Sequence, residues 1–305
     1  MDSGNAEAEI QLIWQEHQLG EIQQLIPLPC QGNQRFVVNG SHIVHLSAGD
    51  SAVNGLRSEA EAYRILASSL PVPEMVLYDE SRQVIPRSFL ITICPPGSPV
   101  SESWPGLEMQ DRERLAMEAG RHLAILHGHS LPGFTSRQIN GLSDGYRYIQ
   151  DQFRRIARRA INADAIEKST VARIKAVLDH LRPLFERVKT ASFLHGHFHM
   201  GQLWQHNGWI TGWIGFEFAH SGDPVFDFRT EDRLESDCPG SLSPFYKGYT
   251  QVQTLDTSFA LKRSFCKLLF YLESFTARSA EYGGTGEENR TKLSQLLHSL
   301  ELNPG

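Results

Sequence analysis

The sequence is short of cysteine: 4 in 305 residues. Cys30, Cys94, Cys238 and Cys266 are widely spaced with no Cys-x-x-Cys pair, which argues against a disulfide framework and a cysteine zinc site. It also lacks a long apolar run. Stretches such as Phe89–Cys94 reach about six residues, where a membrane helix needs roughly 20. Basic excess is missing too: 29 Lys plus Arg against 35 Asp plus Glu give a net charge of −6. Nucleic acid and anionic lipid both call for a basic face, so neither is expected as a partner. The opening MDSGNAEAEI has neither the basic nor the apolar region of a secretory leader. A reducing cytoplasm is the expected location.

What is present is globular: 40% hydrophobic and 10% aromatic residues, enough for one large domain or two lobes. Ile10, Ile13 and Trp14 have helical spacing within Glu9–Gln18. Ile22–Leu28 reads as a strand, followed by a polar turn at Gln31–Asn33. Arg35–Val38 and Ile43–Leu46 flank Asn39-Gly40, a strong hairpin signal. A helix is expected over Leu56–Leu66, and strands over Met75–Tyr78 and Ser88–Cys94. Pro95-Pro96-Gly97 then stops the sheet pattern. Beyond it, Leu115–His127, Gly145–Ala163, Val171–Val188, Ser258–Ser279 and Glu288–Leu302 read as helices. Phe193–Val225 is a loop-and-strand insert with a second hairpin at Asn207-Gly208. These patterns predict an N-lobe over 1–94, a hinge at 95–98 and a mainly helical C-lobe over 99–305.

The insert carries His195-Gly196-His197-Phe198-His199-Met200-Gly201-Gln202, then Ile214-Gly215-Phe216-Glu217, then Gly222-Asp223-Pro224-Val225-Phe226-Asp227-Phe228. In this order the motifs resemble those of the aminoglycoside phosphotransferase-like kinases, a family that includes choline, homoserine and maltose kinases. The resemblance extends over most of the chain and implies an α+β, two-lobed, protein-kinase-like fold. It also implies roles. His45 stands where the family has a phosphate-holding Lys or Arg, with Glu59 on the next helix as its partner. His197 stands at the catalytic Asp, and Gly215 at the metal-binding Asp. Gln202 occupies the second metal-ligand position, where Gln is tolerated. His195 and Asp227 are the residues that brace the catalytic loop.

Three charged working groups are therefore replaced while the bracing residues remain. A positioned base contributes roughly 10²–10⁴ in rate, and a metal several kcal/mol more. Losing both is expected to cost on the order of 10⁵. The sequence thus predicts a protein that has lost Mg-ATP phosphotransfer, with no cofactor and no resident metal. Its interlobe cleft is expected either to bind a small molecule, a peptide or a protein partner, or to run non-phosphoryl chemistry, for example in secondary metabolism. In the latter case His197 and His45 are the acid/base candidates and Glu59 and Glu217 their partners. The alternative is an atypical phosphotransferase taking Mg-ATP through Gln202 and Glu217, since Glu217 would share a face with Gly215 in an extended strand.

Some features admit two readings. His195, His197 and His199 could form a zinc or iron site or be motif residues with structural roles; the second is preferred. Arg154, Arg155, Arg158 and Arg159 read as a solvated helix face or as a landing strip for an acidic ligand. Tyr146, Tyr148 and Phe153 could line a ligand site or pack the core. Trp204, Trp209, Trp213, Phe216 and Phe218 are expected to be packing.

Overall fold

The computed structural model describes residues 3–28, 33–48, 50–135, 141–142, 144–276 and 286–302. Cys30, most of the turn at 31–33 and the end of the helix expected to reach Ser279 lie outside the described residues. Two compact units emerge: 1–107 with 201–219, and 108–200 with 220–305. This division differs from a break at 94–99. The chain just after the Pro-Gly segment is sewn to the later hairpin, because Ser98–Pro99 pairs with Trp204 and Gln205. The hairpin thereby joins the first unit rather than the helical one.

In the first unit, a five-stranded antiparallel sheet contains β1 (Leu25–Leu28), β2 (Gln34–Val38), β3 (His42–Leu46), β4 (Met75–Asp79) and β5 (Phe89–Ile93), in the order β1-β2-β3-β5-β4. Asn39 and Gly40, at φ 53° and 67°, supply the two positive-φ residues that turn β2 into β3. Ser41 completes a three-residue connection, so Val38 pairs with His42, Phe36 faces Val44 and Arg35 faces His45. Alternation then gives the sheet two different faces. Phe36, Val38, Val44, Leu46, Phe89 and Ile91 pack against α1 (Ser3–Glu16) through Ala6, Ile10, Ile13 and Trp14. Burying each of these larger side chains is worth about 1.5–3 kcal/mol, so α1 is an integral part of the sheet's core. The opposite face carries Val37 and Ile43, which meet Trp204 and Ile214, together with Arg35 and His45. On this side lies α2 (Asp50–Leu66).

The hairpin Leu203–His206 with Trp209–Trp213 turns at Asn207-Gly208, again with both residues at positive φ. Trp204, Trp213 and Phe216 are buried, as a packing role requires, but Trp209 is 55% exposed.

The second unit is helical, with a small sheet of Ser130–Leu131, Ala191–Leu194 and His220–Gly222. Its core gathers Tyr146, Tyr148 and Phe153 with Phe185, Phe265 and Leu269, so all three pack there, and Tyr146 also lines a pocket beside Arg147 and Asp179. The helix expected over Val171–Val188 is two, Lys168–His180 and Arg182–Glu186, divided where Pro183 cannot continue the hydrogen-bond ladder. Of the arginine strip, Arg155 bonds Glu273 at 3.2 Å and also Gln152, whereas Arg154, Arg158 and Arg159 are exposed. Among the described residues, no helix is long and apolar enough to cross a membrane.

The helices Met109–Gly128 and Leu242–Thr250 cross at two glycines. A Cβ on Gly120 would overlap the Phe245 carbonyl oxygen, and one on Gly248 would overlap that of Met117. Backbone cannot swing aside as a side chain can. Gly120→Ala is expected to lower stability by about 1–3 kcal/mol through overpacking. A lower urea midpoint with an unchanged m-value would show it.

Candidate functional site

The residues singled out by sequence fall into two groups, one in each unit. In the first unit the controlling residue is one that sequence reasoning missed. Arg35 on β2 stands directly across from His45 on β3. It is only 4% exposed. Its Nε donates to His45 Nδ1 at 3.2 Å, and its Nη2 is ion-paired with Glu217 and lies 3.7 Å from Glu59 Oε1. Counting outward from a two-residue turn at Asn39-Gly40 would have set Arg35 opposite Val44; the connection is three residues, Asn39 to Ser41, and that shift of one places Arg35 opposite His45.

Glu59, on α2, is fully buried. Its Oε1 accepts from the Tyr63 hydroxyl at 2.7 Å and from the Gly215 backbone N–H at 3.0 Å, and its Oε2 lies 3.2 Å from His45 Nδ1. The helix spacing of four residues puts Glu59 and Tyr63 one above the other. Burial works to raise the Glu59 pKa. His45 and Arg35 outweigh it, and the Tyr63 hydrogen bond assists, so the carboxyl is held well below its ordinary value. Glu217 goes the other way. Burial raises it, Arg35 opposes, and the neighbouring charge on Glu59 adds to the rise. Two acids thus compete for one guanidinium, and the better hydrogen-bonded of them is the more acidic.

His45 is fully buried and its ring is engaged by Arg35 and Glu59. Its Nε2 finds no hydrogen-bond partner. An imidazole so enclosed is placed to pack and to hold Arg35, with no surface to offer a reactant.

Gly215 and Glu217 do not share an extended strand. Phe216–Phe218 is a short 3₁₀ turn, entered by Gly215 at φ 89°, so alternation of faces does not apply. Glu217 turns to Arg35 instead. Gln202 fills the space beside Gly215: a Cβ there would overlap its Oε1. That amide could rotate away, but the left-handed backbone would still strain any L side chain. The fold family implies Mg²⁺ here, and the donors do not fit it. Magnesium wants oxygen ligands, usually carboxylate. Gly215 has no side chain, Glu217 is committed to Arg35, and Gln202 offers one neutral carbonyl.

In the second unit, His195, His197 and His199 follow the strand Ala191–Leu194. Asp227 accepts the backbone N–H groups of His195 at 2.8 Å and Gly196 at 2.7 Å, and lies 3.1 Å from His127 Nε2. Burial pushes the Asp227 carboxyl up; hydrogen bonding and charge from His127, with help from His195, reverse this and hold it at about 2. His195 is fully buried and its Nδ1 accepts the His197 backbone N–H at 3.3 Å. His197 is partly exposed, and its ring lies 5.2 Å from that of His199. Among the described residues, no three His, Cys, Asp or Glu side chains converge to hold a metal ion.

Two measurements follow. Arg35→Met leaves two buried carboxylates without their shared cation and is expected to cost about 3–5 kcal/mol. Adding Glu217→Leu should recover part of that loss, read as a coupling between urea midpoints in a double-mutant cycle. For Asp227, the folded pKa lies below the ordinary 3.8. Its contribution, about 2 kcal/mol, is therefore fully present above pH about 4 and lost as the pH falls toward about 2. Asp227→Asn is expected to flatten the stability curve over that interval.

Residues 30–230 match the model of the phosphotransferase enzyme family. The fold is similar to the GDP complex of aminoglycoside 2'-phosphotransferase-IIIa (TM-score 0.68, 15% identity, 95% of this chain and 97% of that one). It is also similar to the ternary complex of APH(2")-IIa with streptomycin and ATP (0.63, 17%, 94% and 95%). A third likeness is to a putative aminoglycoside phosphotransferase from Ralstonia eutropha (0.64, 18%, 97% and 98%). No curated protein matches the chain. At these identities the likenesses establish the α+β kinase-like fold and leave activity open. The family-model match spans about two thirds of the sequence, and on that match the chain belongs to the phosphotransferase enzyme family.

Proposed function

We propose that this chain is a kinase-fold protein that does not carry out Mg-ATP phosphotransfer and serves instead to bind a small molecule or peptide. The observation that carries this reading is the closed ion network of Arg35 with Glu59 and Glu217. Phosphoryl transfer works by placing cations on the phosphates and a carboxylate-held metal between them. In this chain the buried guanidinium is neutralised from within the protein, by the same carboxylate that would have to hold metal. The apolar contact of Val37 and Ile43 with Trp204 and Ile214 points the same way, since it fills one face of the sheet with side chains.

Non-phosphoryl chemistry is the less supported version of this proposal. It would rest on His197 alone, because His45 is sealed. A phosphotransferase role has one argument in its favour: structures with the same fold were determined with GDP, with ATP and streptomycin, and with kanamycin.

Calorimetric titration with ATP and GTP, each with Mg²⁺, is expected to give no heat of binding. ADP release with streptomycin or kanamycin as acceptor is expected at least about 10⁵-fold below the 1–100 s⁻¹ of active kinases. Acceptor-dependent ADP release near the normal range would overturn the proposal and establish an atypical phosphotransferase. Unchanged biological activity in His197→Ala would favour binding over catalysis.

A further inference from the structure

The second unit contains a cavity of about 250 Å³ that the loop at 195–199 does not line. At its edge is Lys262, a lysine within a helix and only 5% exposed. Its Nζ bonds Asp223 Oδ2 at 3.1 Å, with Asp256 Oδ2 at 3.8 Å. An ammonium has three N–H donors, and one hydrogen bond plus one longer ion pair leave at least one donor unused. Around the same cavity, Gln253, Thr190 and Thr254 also line the wall. Phe228 and Phe259, with ring centroids 4.9 Å apart, give it an aromatic side.

This lining selects by chemistry. Both carboxylates of the lining are engaged within the protein, Asp223 by Lys262 and the Val225 N–H and Asp256 by Ser258 with Lys262 3.8 Å away, so neither an anionic nor a cationic ligand finds a free counter-charge. Amide, hydroxyl, ammonium and carboxylate together both donate and accept, while the rings favour a C–H surface. Small-molecule sites commonly combine apolar walls with a few placed polar groups. We infer that this cavity is a ligand site for a small neutral polyhydroxylated molecule, a sugar or polyol.

The cavity also touches the loop's supports. His127 lines it, holds the Tyr249 hydroxyl at 2.9 Å through Nδ1 and reaches Asp227 through Nε2. Asp223 caps the 3₁₀ segment Pro224–Thr230, which carries Asp227. Asp227 in turn holds the His195 and Gly196 amides. A ligand that fixes Asp223 and Lys262 therefore steadies the loop at 195–199 from behind.

The test is protein-observed NMR of the full chain with D-glucose, myo-inositol and glycerol, with glucose 6-phosphate and glucosamine as charged arms. At least one neutral probe is expected to give saturable amide shifts over 253–256 with a Kd of about 1 mM or tighter. Affinity should fall at least about tenfold in Gln253→Leu combined with Thr254→Val; these positions are half-buried and exposed, and an unchanged Tm separates lost binding from unfolding. In the saturated protein, hydrogen exchange at His195 and Gly196 should slow by about fivefold. No saturable shift with any neutral probe, binding by the charged arms alone, or undiminished binding by the double variant would overturn the site. Binding with unaltered exchange would overturn the coupling.

Discussion

A buried guanidinium governs the first unit. Arg35 is buried among Glu59, Glu217 and His45, and a charge in that position is tolerable only if it is paired and hydrogen-bonded. The pairing dictates much of the surrounding geometry. It draws α2 onto the sheet through Glu59, and it draws the Phe216–Phe218 turn onto β2 through Glu217. The Tyr63 ring, 5.9 Å from Phe216, packs where those two elements meet. Tyr63 donates to Glu59, and burial with that neighbouring carboxylate pushes the phenol well above its ordinary value, so it remains a donor throughout the ordinary pH range.

The same arrangement explains why Gly215 suits its place. Its N–H is one of the donors to Glu59, and the chain enters the 3₁₀ turn at φ 89°, presenting that N–H while Glu217 reaches Arg35. Glycine adopts that backbone without steric cost. A carboxylate at 215 would add a third acid beside two that already compete for one cation. The absence of a side chain at this position is thus electrostatically coherent with the network, quite apart from any account of lost catalysis.

Much of the fold could be read from local chemistry. Both Asn-Gly hairpins formed, and Ile10, Ile13 and Trp14 did mark the buried stripe of α1. Short elements were not legible. Glu231–Asp237 is only two turns long, and Leu242–Thr250 contains Pro244 and Gly248, which locally argue against a helix. It is helical because Gly248 and Gly120 let it lie close against its neighbour. At the site, Glu59 with His45 was legible from motif order. Arg35 was not, because its significance is cross-strand and appears only once the register is known. Glu217 was assigned the wrong neighbours because a strand was assumed where the chain turns.

The two units keep their polar cores in different ways. In the first, charged side chains answer one another, and the result is closed. In the second, Asp227 spends its carboxylate on the backbone of His195 and Gly196. Hydrogen bonds to main-chain N–H groups fix the path of a loop without dictating which side chains it carries. His197 can therefore occupy its position with no change in the support beneath it. Ordering a partly exposed loop has a conformational cost of about 1–2 kcal/mol per residue. Asp227 offsets that cost while the residue at the loop's tip is free to vary. The path of the loop is thus set by a buried carboxylate and its two main-chain donors, independently of the side chains the loop displays.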